Sequence, residues 1–68
     1  MFVMLPLTPR ERQIADLVCA GSDVEEISHE LGIGVWGVKK HVKMIRAKTG
    51  ARSMSEIPQA LARSEEAE

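Results

Sequence analysis

Sixty-eight residues and 7.5 kDa allow one small domain, since a chain this short buries only about 60% of its unfolded surface on folding. With 44% hydrophobic, 28% charged and only 3% aromatic residues, and no strand-length alternation of β-branched with polar side chains, the composition is globular and argues against a small barrel or sandwich. The single Cys19 closes no intrachain disulfide, no Cys/His set reaches four zinc ligands, and no segment approaches the roughly 20 apolar residues of a membrane span. The opening MFVMLPL lacks a cationic start and is broken by Pro6, so it does not read as a secretory signal. A reduced, cytoplasmic compartment is expected, with no metal and no cofactor, and with oligomerisation as the remaining aid to stability.

The formal net charge is −1, but the charges are partitioned along the chain. Residues 1–34 carry two cations (Arg10, Arg12) against six acids (Glu11, Asp16, Asp23, Glu25, Glu26, Glu30). Residues 35–52 carry six cations (Lys39, Lys40, Lys43, Arg46, Lys48, Arg52) and no acid, and the remainder sets Arg63 against Glu56, Glu65, Glu66 and Glu68. One uninterrupted basic segment between acidic ones is the pattern of a single face that meets a polyanion. The alternative is an ordinary solvated helix face.

Four helices follow from their punctuation, at about 9–20, 23–31, 35–49 and 55–63, giving an all-α domain. Thr8-Pro9-Arg10-Glu11 combines an N-cap hydroxyl, a proline in the first turn and a glutamate that reaches back to the cap, with Gly21 at the far end. Asp23-Val24-Glu25-Glu26 repeats the capping logic, and Gly32 ends the second helix. Gly32-Ile33-Gly34 is a tight turn with Ile33 as a plug. In the third helix Val35, Val38, Val42 and Ile45 fall on one side of a wheel, with His41 at its edge. Trp36, Lys40, Lys43 and Ala47 fall on the other, flanked by Lys39 and Arg46. For the fourth helix a cap at Ser55 rather than Ser53 keeps Pro58 in the first turn, where amide hydrogens have no intrahelical partner. The core expected from these stripes is Leu7, Ile14, Leu17, Val18, Ile27, Leu31, Ile33, Val38, Val42, Ile45 and Leu61. Residues 1–6 read as an arm, 7–63 as the domain and 64–68 as an acidic, frayed tail.

A short helix, a glycine-bearing turn and a second helix with a basic outer face describe a helix-turn-helix. The wording is more specific: Leu7-Thr8-Pro9-Arg10-Glu11-Arg12, then Gly21, Glu26-Ile27, Leu31-Gly32-Ile33, Val38-Lys39 with His41, and Lys48 before Gly50. In this order and spacing, over residues 7 to about 61, the chain resembles the LuxR-type (GerE-like) domain of bacterial transcription regulators. The resemblance implies a four-helix DNA-binding domain whose third helix reads the major groove and whose fourth pairs two copies. It places Lys39, Lys40 and Lys43 at the groove, where lysines donate to guanine or neutralise phosphate.

Four positions depart from that pattern. Gly34 and Gly37 stand where the family usually has hydroxyl residues, leaving backbone N–H groups to hold a phosphate. Glu25 stands where it often has a cation, an acid that weakens DNA binding. Trp36 is an unusual indole on the outer face, placed for a thymine methyl, a sugar or a protein partner; the structural alternative folds it back over the end of the second helix. Among single residues, His41 reads as packing, His29 as solvated, and Cys19 as an inert residue off the apolar stripe. Neither a catalytic constellation nor a phosphate loop is present, so an enzyme is not expected.

The expected function is sequence-specific duplex DNA binding by a stand-alone small transcription regulator, given its native-looking start, the alternative being a domain excised from a longer protein. The expected contacts are Trp36, Lys39, Lys40, Lys43 and Arg46 with Gly34, Val35 and Gly37. A homodimer when bound is expected through Ile57, Ala60 and Leu61, extended by MFVML. The rivals are an adaptor that binds a protein partner through Trp36 and the neighbourhood of Met44, and the promoter-reading domain of a sigma factor.

Overall fold

Thr8 starts the first helix as its side chain requires: Oγ1 accepts from the Glu11 N–H at 3.2 Å, while Glu11 Oε1 accepts from the Thr8 N–H at 2.9 Å. This reciprocal box opens α1 (Pro9–Cys19). A computed structural model describes residues 6–66, with side chains through residue 63. Gly21, at φ +95°, turns the chain out of α1 in the left-handed region that an L side chain rarely adopts. Asp23 and Glu26 form a second box, at 2.8 and 2.9 Å, before α2 (Val24–Leu31). A three-residue turn leads to α3 (Val35–Thr49), a 3-10 turn spans Met54–Glu56, and α4 (Ile57–Glu66) closes the fold. No strand occurs among the described residues.

The turn between α2 and α3 is fixed by Ser28. Its carbonyl accepts from the N–H groups of Gly32 and Ile33, and its hydroxyl donates to the Ile33 carbonyl. Ile33 packs, partly buried, against the core. At the other end of α3 the buried Thr49 hydroxyl donates to the Ile45 carbonyl at 2.8 Å and accepts from the Ala51 N–H at 3.3 Å. These bonds set where α3 begins and stops, and therefore which side chains face outward.

Each helix supplies at least one completely buried side chain: Ile14, Ile27, Val38 with Ile45, and Ile57. Burying each of these contributes on the order of 2 kcal/mol. α3 packs against α1, α2 and α4, and α4 also packs against α1. α3 is thus held from three sides and keeps one face for solvent.

Two expectations about α4 are corrected. The chain enters it through a 3-10 turn that follows Ser53, and Glu56 Oε1 accepts from the Arg52 N–H at 3.1 Å, so Ser55 does not begin the α-helix and Pro58 is its second residue. The helix continues to Glu66, beyond the expected end at 63. Residues 1–5 of the expected arm, including MFVML, and residues 67–68 of the expected tail lie outside the described residues. The core also gains Ala15, Ala51, Ile57 and Ala60, while Leu7, Leu17, Leu31 and Ile33 are only partly buried against it.

Candidate nucleic-acid interface

The outward face of α3 is built by exclusion. Val38, Val42, Ile45 and Thr49 are buried, which fixes the helix about its axis and turns Trp36, Lys39, Lys40, Lys43 and Ala47 to solvent. With 15 residues the helix is about 22 Å long. Lys39, Lys40 and Lys43 are exposed, and no carboxylate among the described residues pairs with them. Trp36 is 82% exposed. Lys39 Nζ lies 5.2 Å from the centre of its ring, a cation–π contact. The indole therefore stands out from the helix and does not fold back as a cover over α2.

Gly34 precedes this face with a β-region backbone (φ −70°, ψ 156°) and gives no side-chain cap. The Val38 N–H bonds to the Gly34 carbonyl at 3.1 Å, so the amides of the preceding turn are left as donors at the positive end of the helix dipole. A Cβ at Gly34 would meet nothing within 4 Å, and one at Gly37 would meet only Ile33 Cδ1, at an ordinary 3.8 Å. Neither glycine is imposed by its neighbours. Val35 is half-buried, leaving mainly its backbone for an outside contact.

Two of the six cations in the basic segment are used internally. Lys48 Nζ donates to Glu11 Oε1 at 2.7 Å, with the two side chains only 17% and 5% exposed. The ammonium, followed by the Thr8 N–H, holds the Glu11 carboxyl below its ordinary pKa against the opposing effect of burial. Arg46, expected at DNA, is half-buried and its Nη2 donates to the Arg52 carbonyl at 2.6 Å, so it braces the exit from α3 instead of flanking the outer face as an unengaged cation. The expected side-chain contacts that remain fully outward are Trp36, Lys39, Lys40 and Lys43.

Ile57, Ala60 and Leu61, expected to meet a second copy, are 0%, 3% and 5% exposed within one chain. They pack against the chain's own helices; among the α4 side chains described, Gln59, Ala62 and Arg63 are exposed. His41 is half-buried, while His29, Cys19 and Glu25 are exposed. A shallow groove of about 290 Å³ is lined by Gln13, Asp16, Leu17, Glu30 and Leu31. Two carboxylates thus share a depression that the spacing of the sequence did not reveal; Asp16 also pairs with Arg12 at 3.4 Å. No group of three or more His, Cys, Asp or Glu among the described residues could hold a metal. Nor is any described helix long and apolar enough to cross a membrane.

A short helix, a clamped glycine turn and a longer helix with an exposed cationic face define a helix-turn-helix domain. The sequence model of the family described as bacterial regulatory proteins, luxR family, matches residues 5–60, and the chain belongs to that family. It is one of regulatory proteins, not an enzyme class. The chain is 45% identical over 51 residues to a protein of Aeromonas salmonicida described as an HTH-type transcriptional regulator in the exeN 3′ region, covering 75% of this chain and 26% of that one. It is 44% identical over 45 residues to the transcriptional regulatory protein MctR of Rhizobium johnstonii, covering 66% and 21%. The chain thus spans about a quarter of the length of these relatives. No solved structure gives a significant match.

Proposed function

We propose that the chain binds duplex DNA in a sequence-dependent way, with α3 in the major groove, and acts in transcription control in the bacterial cytoplasm. The observation that carries this reading is the row of Lys39, Lys40 and Lys43 on the outward face of α3, exposed and without carboxylate partners among the described residues. A helix of this diameter fits the major groove, which is about 12 Å wide. The orphan amides at its start suit a phosphate, as helix N-termini do.

Three to five phosphate contacts give modest affinity, so two copies act on a two-fold site with recognition helices about 34 Å apart. With Ile57, Ala60 and Leu61 buried in the single chain, Gln59, Ala62 and Arg63 are the exposed α4 side chains among those described that a second copy would meet.

Fluorescence anisotropy on random and pool-selected duplexes tests the reading. Binding is expected to be tighter to selected duplexes and to weaken at least about tenfold between 50 and 200 mM salt. Absence of duplex binding at low salt contradicts it and leaves the adaptor reading, in which exposed Trp36 meets a protein.

A further inference from the structure

We infer that Trp36 is a thymine reader: its indole seats against the C5-methyl group of a thymine at the floor of the major groove. The inference rests on the DNA reading of α3 and names what the apolar part of that face recognises.

Trp36 stands among the cations of the outward face, with Lys39, Lys40 and Lys43 placed three, four and seven residues on, all within reach of one helix face. A polyanion is the occupant that this arrangement complements. Within a duplex the base faces are stacked on one another, and the apolar group that the major groove presents is the thymine methyl. Thymine O4 lies beside that methyl, so one base edge offers the indole an apolar group together with an acceptor for its single N–H.

The local geometry leaves the indole open to such a contact. Lys39 Nζ, 5.2 Å from the ring centre, covers one face and restrains the side chain without burying it. The indole is not covered by its own chain: Gly34 is the N-cap two residues before it, and a Cβ there would meet nothing within 4 Å. At 82% exposure the ring is free to approach a surface closely.

The test starts from a duplex selected from a random pool by the wild-type protein. Each dT is replaced in turn by dU, which removes the methyl and retains base pairing. Affinities are measured by anisotropy for the wild type and for Trp36→Ala. Circular dichroism checks that the variant is folded, as expected for a side chain outside the core. At one position per half-site, dU is expected to weaken wild-type binding about fourfold, the value of one buried methyl-sized group, and to leave binding by Trp36→Ala unchanged. Wild-type affinity equal for dT and dU at every position overturns the inference, as does a penalty that persists in Trp36→Ala or a selected site without thymine. In those cases the duplex is still bound and the reading of α3 stands; failure of the wild type to bind any duplex removes both.

Discussion

Glu11 and Lys48, 37 positions apart, join the start of α1 to the end of α3 through a 2.7 Å contact. The same Glu11 oxygen accepts from the Thr8 N–H, so one carboxylate completes a helix cap and fixes a second helix against the first. The orientation of the outward lysines depends on this brace and on the buried valines of α3.

Replacing Lys48 by Met leaves Glu11 buried without its cation. A loss of about 3 kcal/mol in unfolding free energy is expected at pH 7, read by urea denaturation. In the unfolded chain the Glu11 carboxyl returns to its ordinary value of about 4.5, whereas the fold holds it lower. The stabilisation it contributes is therefore complete above about pH 4.5 and is lost as pH falls through the lower, folded-state value. The gap between wild type and Lys48→Met should shrink over that acidic range; a constant gap from pH 7 to pH 3 contradicts the assignment.

Lys40→Ala and Lys43→Ala should each weaken duplex binding severalfold, with melting temperatures unchanged because both side chains are exposed. If each meets a phosphate, the slope of log affinity against log salt falls by about 1 per substitution. Anisotropy titrations at four salt concentrations measure it.

Glu25→Lys exchanges an exposed acid in the first turn of α2 for a cation. Tighter DNA binding and a steeper salt slope are expected. A cation at the positive end of a helix dipole costs about 0.3 to 1 kcal/mol, so the variant should melt slightly earlier while binding better. Parallel thermal melts and titrations separate the two effects.

Gly37→Ala should stabilise the domain by about 0.5 to 1 kcal/mol, because the position is helical and the new Cβ meets only Ile33 Cδ1 at 3.8 Å. That corresponds to a rise of several degrees in the melting temperature for a domain of this size.

The helices were legible where their limits are written locally. Thr8 with Glu11 and Asp23 with Glu26 carry their caps three residues apart, and Gly32 and Gly50 mark left-handed ends at φ +64° and +80°. The outward placement of Lys39, Lys40 and Lys43 was legible because the valine stripe of α3 fixes its rotation. The role of Lys48 was not, since charge counting along the chain does not register a carboxylate 37 positions away. For Ile57, Ala60 and Leu61, buried within the single chain, an apolar stripe shows that a surface is covered without showing whether the cover is the same chain or a second copy. Ser53 and Glu56 have the spacing of a capping box, yet Glu56 bonds to the Arg52 amide, and a 3-10 turn intervenes before Pro58 enters the first turn of α4.

The central claim is that the outer face of α3 is the surface that meets DNA, and amide NMR of the labelled protein titrated with a selected duplex tests it most directly. The largest shifts are expected at Gly34 to Lys43, with the Trp36 indole N–H among them and the outer residues of α1 little affected. Shifts concentrated on α1 or α4, with the Trp36, Lys40 and Lys43 signals unmoved at saturation, would contradict it.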